Sequence, residues 1–133
     1  MNRYIIDTNI WSALLRGNTP ALYERFVRLT PQQVFMSSVV YGELELGFQK
    51  GDQTAKRRQA LDGLLDLSTH LVIDVEVAKT YAQVRAVLEA QGTPIGRNDT
   101  WIAAEGLHHQ LIVVTDNTKE FERVAQLKLE NWL

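Results

Sequence analysis

The chain contains no cysteine, which excludes a disulfide framework and any thiolate metal site and leaves the redox compartment open. No apolar run approaches the roughly twenty residues that cross a bilayer, and no basic-then-apolar signal opens the amino end. A soluble chain, set in the cytoplasm and not exported by a classical route, is the expectation. Repeats, low-complexity tracts and linker-like stretches are also missing. At 133 residues and 45% hydrophobic content, the chain therefore reads as one domain over 1–133, large enough for a full core and too short for two. A positive charge excess is absent too. The net charge of −2 is a poor match to nucleic acid as a whole-chain average, although bound divalent cations would offset it. Basic residues cluster locally at Lys56-Arg57-Arg58, as a solvated helix face or an RNA contact.

What the chain has is alternation. Short apolar runs at Tyr4-Ile5-Ile6, Val34-Phe35-Met36, Leu71-Val72-Ile73-Asp74 and Leu111-Ile112-Val113-Val114 are separated by amphipathic stretches. Leu61, Leu64 and Leu65 fit one such helix, and Val77, Tyr81, Val84 and Leu88 another. The predicted order is strand, helix, helix, strand, helix, helix, strand, helix, helix, strand, helix and a short carboxyl-terminal strand. Strands separated by helices predict an α/β fold, a three-layer α/β/α sandwich around a central, mostly parallel twisted sheet. Sheets of this kind bind ligands beyond their strand carboxyl ends.

Four acids stand at the places where a strand gives way to a helix. Asp7 follows Tyr4-Ile5-Ile6 directly, with Thr8 and Asn9 beside it in the turn. Glu43 follows Ser37-Ser38, where a serine is the expected helix cap. Its spacing from Val39, Val40 and Leu46 puts it on an apolar face that Glu45 does not share. Asp99 follows the loop Gly92-Thr93-Pro94-Ile95-Gly96 and precedes Ile102 and Ala103 at helical spacing, so it is expected to point toward the sheet. Asp116 ends the branched apolar run Leu111–Val114, within Thr115-Asp116-Asn117-Thr118. Any one Asp in such a place has an alternative role as a cap or turn former. Together, and with Glu43 on a face where an unpaired carboxylate is costly, they predict a site for a hard divalent cation.

Other polar and aromatic groups have open readings. Thr8, Asn9, Ser38 and Thr115 can fix the acids by hydrogen bonds or serve as caps. Arg85 can meet a phosphate or make a structural ion pair, and Arg97, beside Asp99, can meet an RNA backbone. His108 and His109, adjacent on a helix, point about 100° apart, wrong for chelating one ion, and suit a helix carboxyl end. His70 reads as a loop residue. Trp11, Trp101 and Trp132 suit core or dimer packing, with Trp11 at a rim, or stacking on bases.

The segments Asp7-Thr8-Asn9, Ser38 through Glu43-Leu44, Gly92–Ala104 and Val113–Val124 together resemble the PIN-domain ribonucleases. More narrowly, they resemble the VapC toxins of bacterial toxin–antitoxin pairs. The resemblance covers essentially the whole chain. It implies a PIN-like sandwich and an endonuclease dependent on Mg²⁺ or Mn²⁺ that acts on structured RNA, often transfer RNA, with the initiator tRNA anticodon region a candidate target. It also implies a homodimer held inactive in a hetero-oligomer with a VapB antitoxin. Carried over by position, Asp7, Glu43 and Asp99 match the core acids, and Asp116 competes with Asn117 for the fourth place.

Phosphodiester hydrolysis needs an activated water and a stabilised leaving oxygen, both of which a bound cation supplies. In this scheme Asp7 and Asp99 ligate the ion, Glu43 orients or deprotonates the water, and Asp116 or Asn117 completes the site. Other classes remain open beside it. A receiver-type phosphate-handling domain would want a paired acidic motif after the first strand, where Asp7-Thr8-Asn9 offers one acid. A non-toxin PIN nuclease of RNA processing, or a PIN-like module that binds RNA or protein without cleaving, would share the fold.

Overall fold

The strand β1 (Tyr4–Ile6) is buried at every position, as a strand must be when helices cover both faces of its sheet. The computed structural model describes residues 1–51 and 53–133. After β1 come α1 (Thr8–Arg16), α2 (Pro20–Val27), a single 3-10 turn (Pro31–Gln33) and β2 (Val34–Ser37). Helices α3 (Ser38–Lys50) and α4 (Ala55–Asp66) lead to β3 (Thr69–Leu71). Helices α5 (Val75–Ala90) and α6 (Arg97–His109) then lead to β4 (Ile112–Val114), followed by α7 (Thr118–Phe121) and β5 (Leu129–Glu130). The order is the one predicted, strand for strand and helix for helix.

The five strands form one sheet in the order β3-β2-β1-β4-β5, and all four pairings are parallel. The chain winds outward from β1 to β3, then returns to the other side of β1 for β4. This reversal parts the loops beyond the β1 and β4 carboxyl ends and opens a crevice there, as in other doubly wound sheets. The core is made of branched and aromatic side chains from the central strands and the helices over them, among them Ile5, Ile6, Trp11, Val34, Ile102, Val113 and Phe121. Helix α6 lies unusually close to the sheet at Gly106. A methyl group there would meet Val113 Cγ2 at 2.9 Å and Leu127 Cδ1 at 3.1 Å. None of the helices among the described residues is long and apolar enough to cross a membrane.

Several local expectations give way to pairing and capping. The third strand is Thr69–Leu71, not a run through Asp74. Its partner β2 ends where Ser37 pairs with Leu71, and Asp74 is taken as the cap of α5 by accepting from Val77 N at 2.9 Å. His70 accordingly lies within the strand. Of the two serines at the head of α3, Ser37 is the cap, its Oγ accepting from Val39 N at 3.1 Å. Leu46, expected on the inner face of α3, is exposed. Trp11 is wholly buried, edge-on to Phe26, rather than at a rim. Arg58 leaves the solvated basic run to pair with Glu45 and cover the Phe48 ring. His108 and His109 lie in the last turn of α6, as expected, and burial, with His108 beside it, lowers the pKa of His109.

Candidate active site

Asp7 closes β1 and opens α1 in one residue. Its backbone N–H donates to Val114 O at 2.8 Å, continuing the β1–β4 ladder, while its Oδ1 accepts from Thr8 N at 2.7 Å and caps the helix. Its Oδ2 accepts from Thr115 Oγ1 at 2.8 Å. The Thr115 hydroxyl in turn accepts from Asn117 N at 2.9 Å, so one hydroxyl shapes the turn after β4 and orients the acid after β1. Only 6% of Asp7 is exposed, and both of its oxygens are held.

The other acids are tied to this centre by short polar bridges. Thr8 Oγ1 donates to Glu43 Oε1 at 3.0 Å, which draws the second turn of α3 to the start of α1. Asn9 Nδ2 donates to Asp116 Oδ1 at 3.1 Å. Asn117 Nδ2 reaches two carboxylates, Glu120 Oε2 at 2.6 Å and Asp99 Oδ2 at 3.4 Å. Asp99 itself lies in the first turn of α6, which starts from Gly96 without a side-chain cap. Asp7, Glu43, Asp99, Asp116 and Asn117 thus line a single open cleft of about 350 Å³ at the β1/β4 crevice.

Negative charge is crowded there. Asp99 is pushed up to about 6, first by burial and then by Asp7, Glu120 and Glu43. Asp7 is raised by burial and, more weakly, by Asp116, against the pull of the Thr115 and Thr8 hydrogen bonds. Among the described residues no lysine, arginine or histidine lines the cleft to balance these acids. Repulsion of this kind is relieved by a proton or by a cation, and the donors present are all oxygen, the set that hard divalent ions prefer. Among the described residues no three acidic or imidazole groups converge tightly enough to hold an ion alone. An ion held here would need waters to complete its shell, as Mg²⁺ commonly does.

Of the polar residues singled out from the sequence, Thr8, Asn9, Thr115 and Asn117 are brought together with the acids. Ser38 is not, since its Oγ donates to Leu71 O at 2.7 Å. The Arg85 guanidinium is engaged by Glu89 Oε1 at 2.6 Å and by the Tyr81 hydroxyl at 2.8 Å. Arg97 is exposed at the head of α6, beside a groove it shares with Arg85 and Pro94. Glu120 was not foreseen. Its signal was present in the sequence, because a residue three positions after Asn117 on a helix faces the same way.

Residues 4–127 match the PIN domain family. The tRNA(fMet)-specific endonuclease VapC of Shigella flexneri is 34% identical over 132 residues, covering 99% of each chain. Among solved structures, the DNA-bound VapBC from Salmonella typhimurium superposes with a TM-score of 0.91 at 30% identity over 100% of both chains. VapBC2 from Rickettsia felis, bound to a DNA fragment from their promoter, gives a TM-score of 0.88 at 29% identity over 98% of both. With its acids gathered at the β1/β4 crevice and its relatives matched end to end, the chain belongs to the PIN domain family and, within it, to the VapC ribonucleases.

Proposed function

We propose that the chain is a metal-dependent endoribonuclease toxin that hydrolyses phosphodiester bonds in structured RNA, transfer RNA being the expected class. The observation that carries this reading is the uncompensated cluster of Asp7, Glu43, Asp99 and Asp116 around one open cleft. A Mg²⁺ ion, or Mn²⁺ in its place, would supply there an acidified water and charge stabilisation for the leaving oxygen. Asp7 and Asp99 would hold it, the first fixed by Thr8 and Thr115 and the second leaning on Asn117. Glu43, steadied by Thr8, would orient the attacking water and take its proton. Asp116 and Glu120 add negative charge at the rim, and Asn117 bridges Glu120 and Asp99 by donating to both.

The relative from Shigella flexneri is named for action on tRNA(fMet), which supports the initiator tRNA as the first substrate to try, with the anticodon region as the cleavage site. Two of the structural neighbours are named as VapBC, which supports a VapB-type antitoxin as the partner, in a hetero-oligomer built on a homodimer of this chain. The setting proposed is the cytoplasm, where such an RNA is found. Incubation of total RNA with the purified chain, freed of any copurified partner, tests the reading. Discrete fragments with Mg²⁺ or Mn²⁺, none with EDTA, and protection on adding the antitoxin are expected. Intact RNA with both ions would move the chain to a binding role.

A further inference from the structure

Glu105 lies on α6, six residues beyond Asp99, and none of its surface is exposed. Its Oε1 accepts a 2.5 Å hydrogen bond from Ser37 Oγ, which is equally buried, and its Oε2 has no partner among the described residues. Burial lifts this carboxyl to about 7, opposed only by the Ser37 hydroxyl. An apolar side chain of similar volume would avoid the cost of desolvating a carboxyl here. What Glu105 holds must therefore account for its presence.

Ser37 is the cap of α3. Its hydroxyl accepts from Val39 N while donating to Glu105, so a single oxygen ties the first turn of α3 to the middle of α6. Helix α6 is a firm reference at that point, because the next residue, Gly106, is pressed against β4 with no room for a Cβ. Helix α3 carries Glu43 six residues after the cap, and α6 carries Asp99 six residues before Glu105. The two helices pack directly on each other. Within the cleft, Glu43 is held by the bond from Thr8 Oγ1, which fixes its tip but not the path of the helix behind it.

We propose that Glu105 is a positioning residue, and that its hydrogen bond from Ser37 sets α3 against α6 and so fixes Glu43 relative to Asp99. This rests on the ribonuclease reading of the cleft. Glu105→Met keeps the volume and removes the acceptor, whereas Glu105→Gln keeps an acceptor oxygen for Ser37. Ser37→Ala removes the donor from the other side.

Two readouts are taken together: kcat and KM for RNA cleavage with Mg²⁺, and the amide chemical shifts of Thr8, Glu43 and Asp99 in the metal-free protein. Glu105→Met and Ser37→Ala are each expected to lower kcat about 10-fold, the scale of lost support behind a ligand, with KM nearly unchanged and all three amides displaced. Glu105→Gln is expected to restore both readouts, and the double variant to lose no more than the worse single one. Wild-type kcat and wild-type shifts in Glu105→Met would overturn the proposal, as would a Glu105→Gln that falls as far as Glu105→Met. If Glu105→Met does not fold, Ser37→Ala with rescue by Ser37→Thr makes the same comparison. A wild-type chain that cleaves no RNA would sink the ribonuclease reading alone, since the amide shifts still judge the positioning.

Discussion

Asp7, beneath the cleft, and Glu105, between α3 and α6, are both carboxyls taken almost wholly out of water, and they differ in company. Asp7 has a donor on each oxygen and acids as neighbours, so burial and Asp116 push its pKa up while Thr115 and Thr8 hold it down. Glu105 has a donor on one oxygen and, among the described residues, no charged group acting on it, so burial sets the direction against the Ser37 hydrogen bond. The first arrangement sets a doubly hydrogen-bonded carboxyl among other acids beside an open cleft, a crowding that a proton or a cation would relieve. The second holds a group in place in the interior. Burial by itself does not distinguish a reactive carboxylate from a structural one, whereas the number of donors and the sign of the neighbours do.

The sharpest way to break the comparison is to remove one charge from each region. Asp7→Asn keeps a good helix cap and removes the carboxylate. RNA cleavage is expected to fall by roughly 10²–10⁴-fold, while thermal melting shows the fold intact. Glu105→Gln is expected to stay close to wild type in the same assay. Next in size is Thr115→Val, which strips Asp7 of one donor and the Asn117 turn of its acceptor. Loss of such support costs about 10–100-fold in activity or metal affinity, read here as cleavage rate and as Mn²⁺ binding. On the other side, Gly106→Ala should force α6 off β4. Overpacking of this kind costs about 1–3 kcal/mol, measurable by urea unfolding, and it should lower kcat with it because Glu105 moves too.

The smallest expected effect is a pH dependence in which both regions carry the same sign. Asp99 rises from 3.8 to about 6 and Glu105 from 4.5 to about 7 on folding, so the folded state binds protons more tightly than the unfolded one. Their contribution is full below about pH 4 and is lost as pH rises through about 6 to 7. In EDTA the melting temperature should therefore fall between pH 5 and pH 8. Mg²⁺ at pH 8 should recover the part that belongs to Asp99 and leave the part that belongs to Glu105. Recovery unchanged by Asp99→Asn would show that the ion is not acting at the cleft.

The fold was legible because its signals are local and repeated. Each strand is a short apolar run, and each crossover holds an amphipathic helix whose spacing survives in the structure. The acids were legible for the same reason, since Asp7, Asp99 and Asp116 follow strand or loop ends and Glu43 sits one turn inside a helix. What escaped depends on partners distant in sequence. Whether Ser37 or Ser38 caps α3 is decided by how far β2 pairs with β3. Arg85 could not be assigned because Glu89 and Tyr81 compete for it one turn away on either side. Glu105 looked like any helix glutamate, because its meaning lies with Ser37, 68 positions away in the chain. Glu120 was overlooked because its role is passed through Asn117, a neutral side chain serving two acids.

The central claim is that the crowded carboxylates at the β1/β4 crevice work as a cation-dependent RNA-cleaving centre. The most direct test is the cleavage rate of purified tRNA by wild type and Asp7→Asn, each with Mg²⁺ and each with EDTA, using protein freed of any antitoxin. The account predicts cleavage at defined positions by wild type with Mg²⁺, and near-background rates in the other three arms. Cleavage that persists in EDTA, or in Asp7→Asn with Mg²⁺, would contradict it.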